Sequence, residues 1–370
     1  CFGIVALTND DDANLAVAAA ARLLRPSLPV VCRCESEETA RRMTAFGVPH
    51  IIDPFALFGA HLATALRKPG HFLLHEWLTA APDELLPEPL FPPAGHWVLC
   101  GFGRFGSRVA RGLEQAGNQV AIIDSDPALA TSGKVLCGHG TDRGVLEQAG
   151  IGRAVGLIAG TADDVINLSI LQIARQVNPE LFVVARRNQR ANGLLFDAAR
   201  PSVTVQPAMV VVHECLAYLM APLLGRFLAA VADRPNEWAN ELIARIAAIT
   251  EERVPESWSV TMDDAEAPAL APSLAAGEEP LAILLVDPQR RHERLPVLPL
   301  ALERDGALQI LPPPETLLAP GDRVLFCGRG RARRKQYLTV SDANVLRYVT
   351  TGRDVPGGWI WDRVATAREA

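Results

Sequence analysis

Lysine and tyrosine are scarce in this 370-residue chain, limited to Lys68, Lys134 and Lys335 and to Tyr218, Tyr337 and Tyr348. No tyrosine is followed by lysine four positions on, so the pair that commonly moves a proton beside a nicotinamide is missing. No Gly-Lys-Ser/Thr step follows a glycine loop, which leaves phosphoryl transfer of the P-loop kind unsupported. The seven cysteines, odd in number, include no C-x-x-C pair; this argues against a disulfide framework and a thiolate zinc site and fits a reducing cytoplasm. No run of about 18 uninterrupted apolar residues exists. The nearest, 217–231, contains Pro222 and Arg226 and reads as a buried helix. Basic residues number 36 against 42 acidic ones, and the net charge of −6 speaks against a nucleic-acid binder or a polybasic membrane anchor.

What is present begins with a repeat. Laid over one another without a gap, residues 4–33 and 157–186 pair Thr8 with Thr161, Asp10-Asp11 with Asp163-Asp164, Asn14-Leu15 with Asn167-Leu168, and Arg33 with Arg186. Pro54 and Pro207 keep the same offset. Each copy reads as strand, acidic turn, amphipathic helix and strand, an α/β crossover unit. Only the second copy has the preceding strand–helix–strand portion. Its strands are expected at 97–100, 119–123, 134–137 and 203–205, with helices at 104–116 and 142–149 and another opening at Gln189. Alternation at this spacing predicts a doubly wound parallel sheet.

The expected organisation is a partial domain at 1–80, a linker at 81–94 holding five prolines between Pro82 and Pro93, and a complete domain at 95–232. A helical connector at 233–257, a small α/β domain at 258–338 with strands at 281–286, 307–311 and 323–327, and a tail at 339–370 complete it. The tail shows little pattern beyond Trp359-Ile-Trp361. The first copy's opening strand would lack its central neighbour, so the missing part is expected upstream of Cys1 in a longer protein.

Gly101-Phe-Gly103-Arg-Phe-Gly106 follows a buried strand and opens a helix, and Asp124 closes the next strand. In that context Gly101 permits the tight turn, Gly103 admits a pyrophosphate to the backbone, Gly106 allows close helix–strand packing, and Asp124 accepts from ribose hydroxyls. An anion at 124 repels a 2′-phosphate and favours NAD or NADH over NADP; ATP, ADP or AMP offer the same adenosine phosphate. Asp10-Asp11 and Asp163-Asp164 read as helix caps rather than a cation site. Thr161, at a strand's carboxyl end, is a candidate site-lining residue. His71, His75 and Glu76 have metal-like spacing without a third ligand and read as a solvated helix face, and Cys32 and Cys34 read as small buried apolar groups.

Together with Gly138-His-Gly-Thr141-Asp142, Leu146-Glu-Gln-Ala149-Gly150-Ile151, Ala159-Gly-Thr161-x-Asp163-Asp164-x-x-Asn167 and Arg186-x-Asn188, the glycine motif resembles the RCK (KTN, TrkA-N) regulatory domain. The segment Pro312 to Phe326 resembles the companion TrkA-C domain. The resemblance implies tandem Rossmann-like domains, the first incomplete, plus a small α/β domain. It further implies a cytoplasmic dimer or ring that regulates a potassium channel or transporter at the membrane through nucleotide-dependent rearrangement. By that resemblance Gly101, Gly103, Arg104 and Gly106 would hold phosphates, Asp124 the ribose, and Thr161 would lie along the nucleotide. Phe105, Ser125, His139 and Gly140 would complete the contacts. His139 stands where relatives usually carry an acidic residue. The competing expectation, an NAD-dependent oxidoreductase, rests on the glycine motif alone; the chain is read as binding without chemistry.

Overall fold

A computed structural model describes residues 3–82, 91–129, 134–251, 253–274, 277 and 279–353. The chain divides into two compact units, 1–73 with 88–215 and 74–87 with 216–370. Most of the proline-rich linker, and Trp359 and Trp361, lie outside the described residues.

The first unit contains both copies of the repeat. The N-terminal copy runs β1 (Ile4–Ala6), α1 (Asp11–Leu24), β2 (Val30–Arg33), α2 (Glu37–Ala45), β3 (His50–Ile52) and α3 (Pro54–Arg67), and is followed by α4 (Pro69–Thr79). Its three strands form one parallel sheet in the order β1-β2-β3. The second copy runs β4 (His96–Cys100), α5 (Arg104–Gln115), β5 (Gln119–Asp124), β6 (Val135–Cys137), α6 (Arg143–Gln148), β7 (Gly156–Ala159), α7 (Asp164–Val177), β8 (Phe182–Arg186), α8 (Gly193–Ala199), β9 (Val203–Val205) and α9 (Pro207–Met220). All six strands are parallel in the order β6-β5-β4-β7-β8-β9, the doubly wound arrangement whose order reverses between β4 and β7. Val98, Leu99, Leu157, Ile158, Val183 and Val184 are fully shielded, as expected of strands covered on both faces.

The repeat holds at the level of single hydrogen bonds. The Thr8 amide donates to Asn14 Oδ1 at 3.0 Å, and the Thr161 amide to Asn167 Oδ1 at 2.9 Å. The Asn14 side-chain amide donates to the Arg33 carbonyl at 3.0 Å, and that of Asn167 to the Arg186 carbonyl at 2.8 Å. Asp10 and Asp163 cap α1 and α7, while Asp11 and Asp164 accept from the backbone that follows β2 and β8. The acidic pairs are therefore structural, as their helix-start position predicts.

The N-terminal copy packs on the complete one through α3 and α5. A Cβ on Gly112 would lie 2.3 Å from the Gly59 carbonyl oxygen, so the two backbones touch where these glycines cross. Phe55 and Leu62 of α3 join Trp97, Leu99, Phe105, Val109 and Leu113 in one core. Arg108 of α5 bonds Asp53 at 3.2 Å and also pairs with Glu37, whose carboxyl it holds below the usual range.

The second unit contains α10 (Pro222–Val231), α11 (Asn236–Thr250), β10 (Glu256–Thr261), α12 (Ala271–Leu274), β11 (Val286–Asp287), β12 (Arg290–Arg294), β13 (Val297–Arg304), β14 (Ala307–Ile310), β15 (Arg323–Gly328), α13 (Gly330–Ser341) and α14 (Ala343–Thr351). Its main sheet is antiparallel, in the order β10-β15-β13-β14. The strand expected at 281–286 is instead a 3₁₀ turn over Leu281–Leu285 leading into the two-residue β11. Leu281, Leu284 and Leu285 are buried together without the alternation a half-buried strand requires. Val340 and Leu346, in the stretch read as patternless, belong to the same core as Trp258 and Phe326. Gln336 is buried between Trp258 Nε1, which donates to it at 2.8 Å, and the Leu284 carbonyl, to which it donates at 2.9 Å. No helix among the described residues is long and apolar enough to cross a membrane.

Candidate functional site

A cleft of 410 Å³ opens at the carboxyl ends of β4, β5 and β7, where ligands of such sheets bind. Its floor is the glycine turn. Gly101 has φ +95°, a conformation that disfavours any side chain, and a Cβ on Gly106 would lie 1.9 Å from the Gly101 carbonyl oxygen. Gly106 therefore lies under the turn and sets the helix against it; it is not among the lining residues, in contrast to the phosphate contact the resemblance implies. Gly103 faces open space. α5 begins there with no side chain capping it, unlike α1 and α7, which leaves its first backbone amides available to an anion.

Of the expected contacts, Gly101, Gly103, Arg104, Phe105, Asp124, Ser125, His139, Gly140 and Thr161 all line this one cleft. Asp124 accepts from the Phe102 amide at 2.5 Å and the Asp126 amide at 2.9 Å, which ties the acidic residue to the glycine turn. The Thr161 hydroxyl donates to Asn167 Oδ1 at 2.8 Å, a bond that orients the loop after β7. Cys100 also lines the cleft, and burial pushes its thiol up to about 12, leaving it protonated and unsuited to nucleophilic work.

Arg186 and Phe55 line the cleft from outside the expected set. Arg186, at the end of β8, has its guanidinium carbon 4.9 Å from the Phe55 ring centre and 5.3 Å from that of Phe105. Phe55 comes from the N-terminal copy, which thereby supplies part of the wall. The internal alignment of Arg33 with Arg186 was the available signal, but nothing near Phe55 in sequence points to the cleft. Of the other candidates, Cys32 and Cys34 are buried, and His71, read as solvent-facing, is only 8% exposed.

The TrkA-N domain family matches residues 1–54 and 97–207, one stretch in each copy of the repeat. A Trk system potassium uptake protein TrkA homolog of Pyrococcus abyssi is 30% identical over 142 residues, covering 35% of this chain and 63% of that protein. Potassium channel protein 1 of Methanocaldococcus jannaschii is 33% identical over 98 residues, covering 25% of this chain and 29% of that protein. The chain thus spans less than two thirds of either relative. A solved structure of the GsuK channel shares the fold over 92% of this chain and 67% of its own, with a TM-score of 0.50 and 18% identity. Across 1–54 and 97–207, this chain is similar to the TrkA-N domain family.

Proposed function

We propose that this chain is a nucleotide-sensing regulatory region of a potassium channel or transporter, with NAD(H) or an adenine nucleotide held in the cleft of the complete copy. The observation that carries the reading is the convergence of the uncapped start of α5, the open face of Gly103 and the tethered carboxylate of Asp124 on one cleft. When bound, the nucleotide supplies negative charge and an adenosine for these groups to hold. Gly101, Gly103 and Arg104 take the phosphates; Asp124 and Ser125 take the ribose; His139, Gly140 and Thr161 flank it. Regulation follows if ligand favours one of two arrangements of the copies, and its effect is limited by that differential affinity. The chain acts at the cytoplasmic face of the membrane, beside the pore or transporter subunit it controls.

A homo-oligomer, a dimer or ring, is part of this reading. In the complete copy Val165, Leu194 and Leu195 are 67%, 83% and 54% exposed. The aligned positions of the first copy are Asp12, Arg41 and Arg42, an exposed charged set. The same fold position is thus polar in one copy and apolar in the other, as a self-association surface confined to the second copy requires. Replacing Leu194 and Leu195 with arginine is expected to lower the molar mass seen by light scattering to that of a smaller species. An unchanged mass contradicts this surface.

Thermal shifts with NAD, NADH, NADPH, ATP, ADP and AMP, run alongside Asp124→Ala and a nicotinamide absorbance assay, test the whole reading. Stabilisation that the variant weakens, without turnover, is expected. Turnover of a small alcohol or acid would favour the oxidoreductase, and silence from every ligand would overturn nucleotide sensing.

A further inference from the structure

Behind the end of the cleft lined by Arg104, Phe105 and Arg186 lie a third guanidinium, that of Arg33, and the carboxylate of Glu35. Glu35, from the N-terminal copy, has a side chain only 5% exposed and pairs with Arg104 at 2.6 Å and with Arg33. Arg33 also bonds Asn9. Its repeat mate Arg186 differs, because the position aligned with Glu35 is Asn188 in the complete copy. Arg186 has a buried Nε without a hydrogen-bond partner and no carboxylate within ion-pair distance among the described residues, although Glu35 and Asp164 are near enough to act on its charge. Its guanidinium rests on Phe55 and Phe105 and lines the cleft. An arginine neutralised in one copy is therefore left available in the other, at the place where a ligand's phosphates arrive.

We propose that the N-terminal half-domain sets the ligand selectivity of the cleft: Phe55 seats Arg186 against the phosphates, and Glu35 limits them to a dianionic group. This rests on the nucleotide reading given above. Glu35, with Asp164 nearby, offsets part of the charge of the three arginines, which suits the phosphate of AMP or the pyrophosphate of NAD better than a more highly charged group. A triphosphate brings about two further negative charges toward a fixed carboxylate behind Arg104, and repulsion at that range disfavours it. Cation–π contact with two rings set at 81° to each other fixes the place of a guanidinium, which is how Phe55 positions Arg186 without touching ligand phosphate itself.

The test is calorimetric titration of the full chain with adenosine, AMP, NAD and ATP. Wild-type protein is expected to bind AMP or NAD at least tenfold more tightly than ATP, and the AMP and NAD arms identify which dianion is preferred. Glu35→Gln is expected to shift the ATP to AMP affinity ratio toward ATP by about tenfold. Arg186→Gln is expected to weaken AMP by about tenfold or more while leaving adenosine within about twofold. Phe55→Leu is expected to follow Arg186→Gln at reduced size. Adenosine binding and unliganded melting temperature report whether each variant folds. Nucleotide binding with an unchanged ATP to AMP ratio in Glu35→Gln, or equal loss of adenosine and AMP in Arg186→Gln, overturns this inference alone. Absence of any nucleotide binding by the wild type overturns the nucleotide reading and this inference with it.

Discussion

Asp164 accepts four hydrogen bonds, from the Asn188 amide at 2.6 Å and side chain at 2.8 Å, the Gln189 amide at 3.0 Å, and the Asn192 side chain at 2.7 Å. Burial pushes its pKa up, but these donors prevail and hold the carboxyl below the ordinary aspartate value. A depressed folded-state pKa adds stability that is present above the unfolded value of about 3.9 and is lost as pH falls through the folded one. Asp164→Ala is expected to cost about 2–3 kcal/mol at neutral pH, measured by urea unfolding, because it strands buried donors. The variant should also lose part of the wild type's destabilisation below about pH 4. A neutral substitution, or an unchanged acid limb, would show that the loop after β8 does not depend on this carboxylate.

At the scale of elements, the crossing of α3 and α5 is the joint between the copies. Gly112→Ala puts a methyl 2.3 Å from the Gly59 carbonyl and is expected to destabilise by about 2 kcal/mol, since helix backbones cannot yield as a side chain can. Gly225→Ala in α10 meets nothing within 4 Å and is expected to stabilise by about 0.5–1 kcal/mol through helix propensity and unfolded-state entropy. The same exchange thus has opposite signs at two helical glycines, and chemical denaturation reads both. If Gly112→Ala were neutral, the copies would not be packed through this crossing. Elements built on local pattern were legible in the sequence: the glycine turn, Asp124 and the capped α7 all lie within short stretches whose residues dictate their own backbone. β12, with Arg290 to Arg294 all exposed, offered no apolar alternation and exists because its hairpin partner β11 pairs with it. The apolar run from Leu281 misled for the opposite reason, its four residues Leu281, Ile283, Leu284 and Leu285 being buried without alternation.

For the whole molecule, the asymmetry between copies matters more than their likeness. Both carry the crossover unit, and among the described residues the glycine turn, the acidic strand end and the cleft lie in the second. The cleft's floor was readable because its residues follow one another along β4, α5 and β5. Its far wall was not: Phe55 and Glu35 reach Arg186 and Arg104 across long separations, and only the packing of one copy on the other brings them there. Residues of the N-terminal copy thus furnish part of the wall beside the cleft of the other copy, the one nucleotide site proposed. Counting bound nucleotide per chain by equilibrium dialysis with labelled AMP and NAD, on wild type and on Gly103→Glu, tests this most directly. One nucleotide per chain, abolished when a carboxylate fills the open face of Gly103, is the predicted result; two per chain, or binding that survives Gly103→Glu, would contradict it.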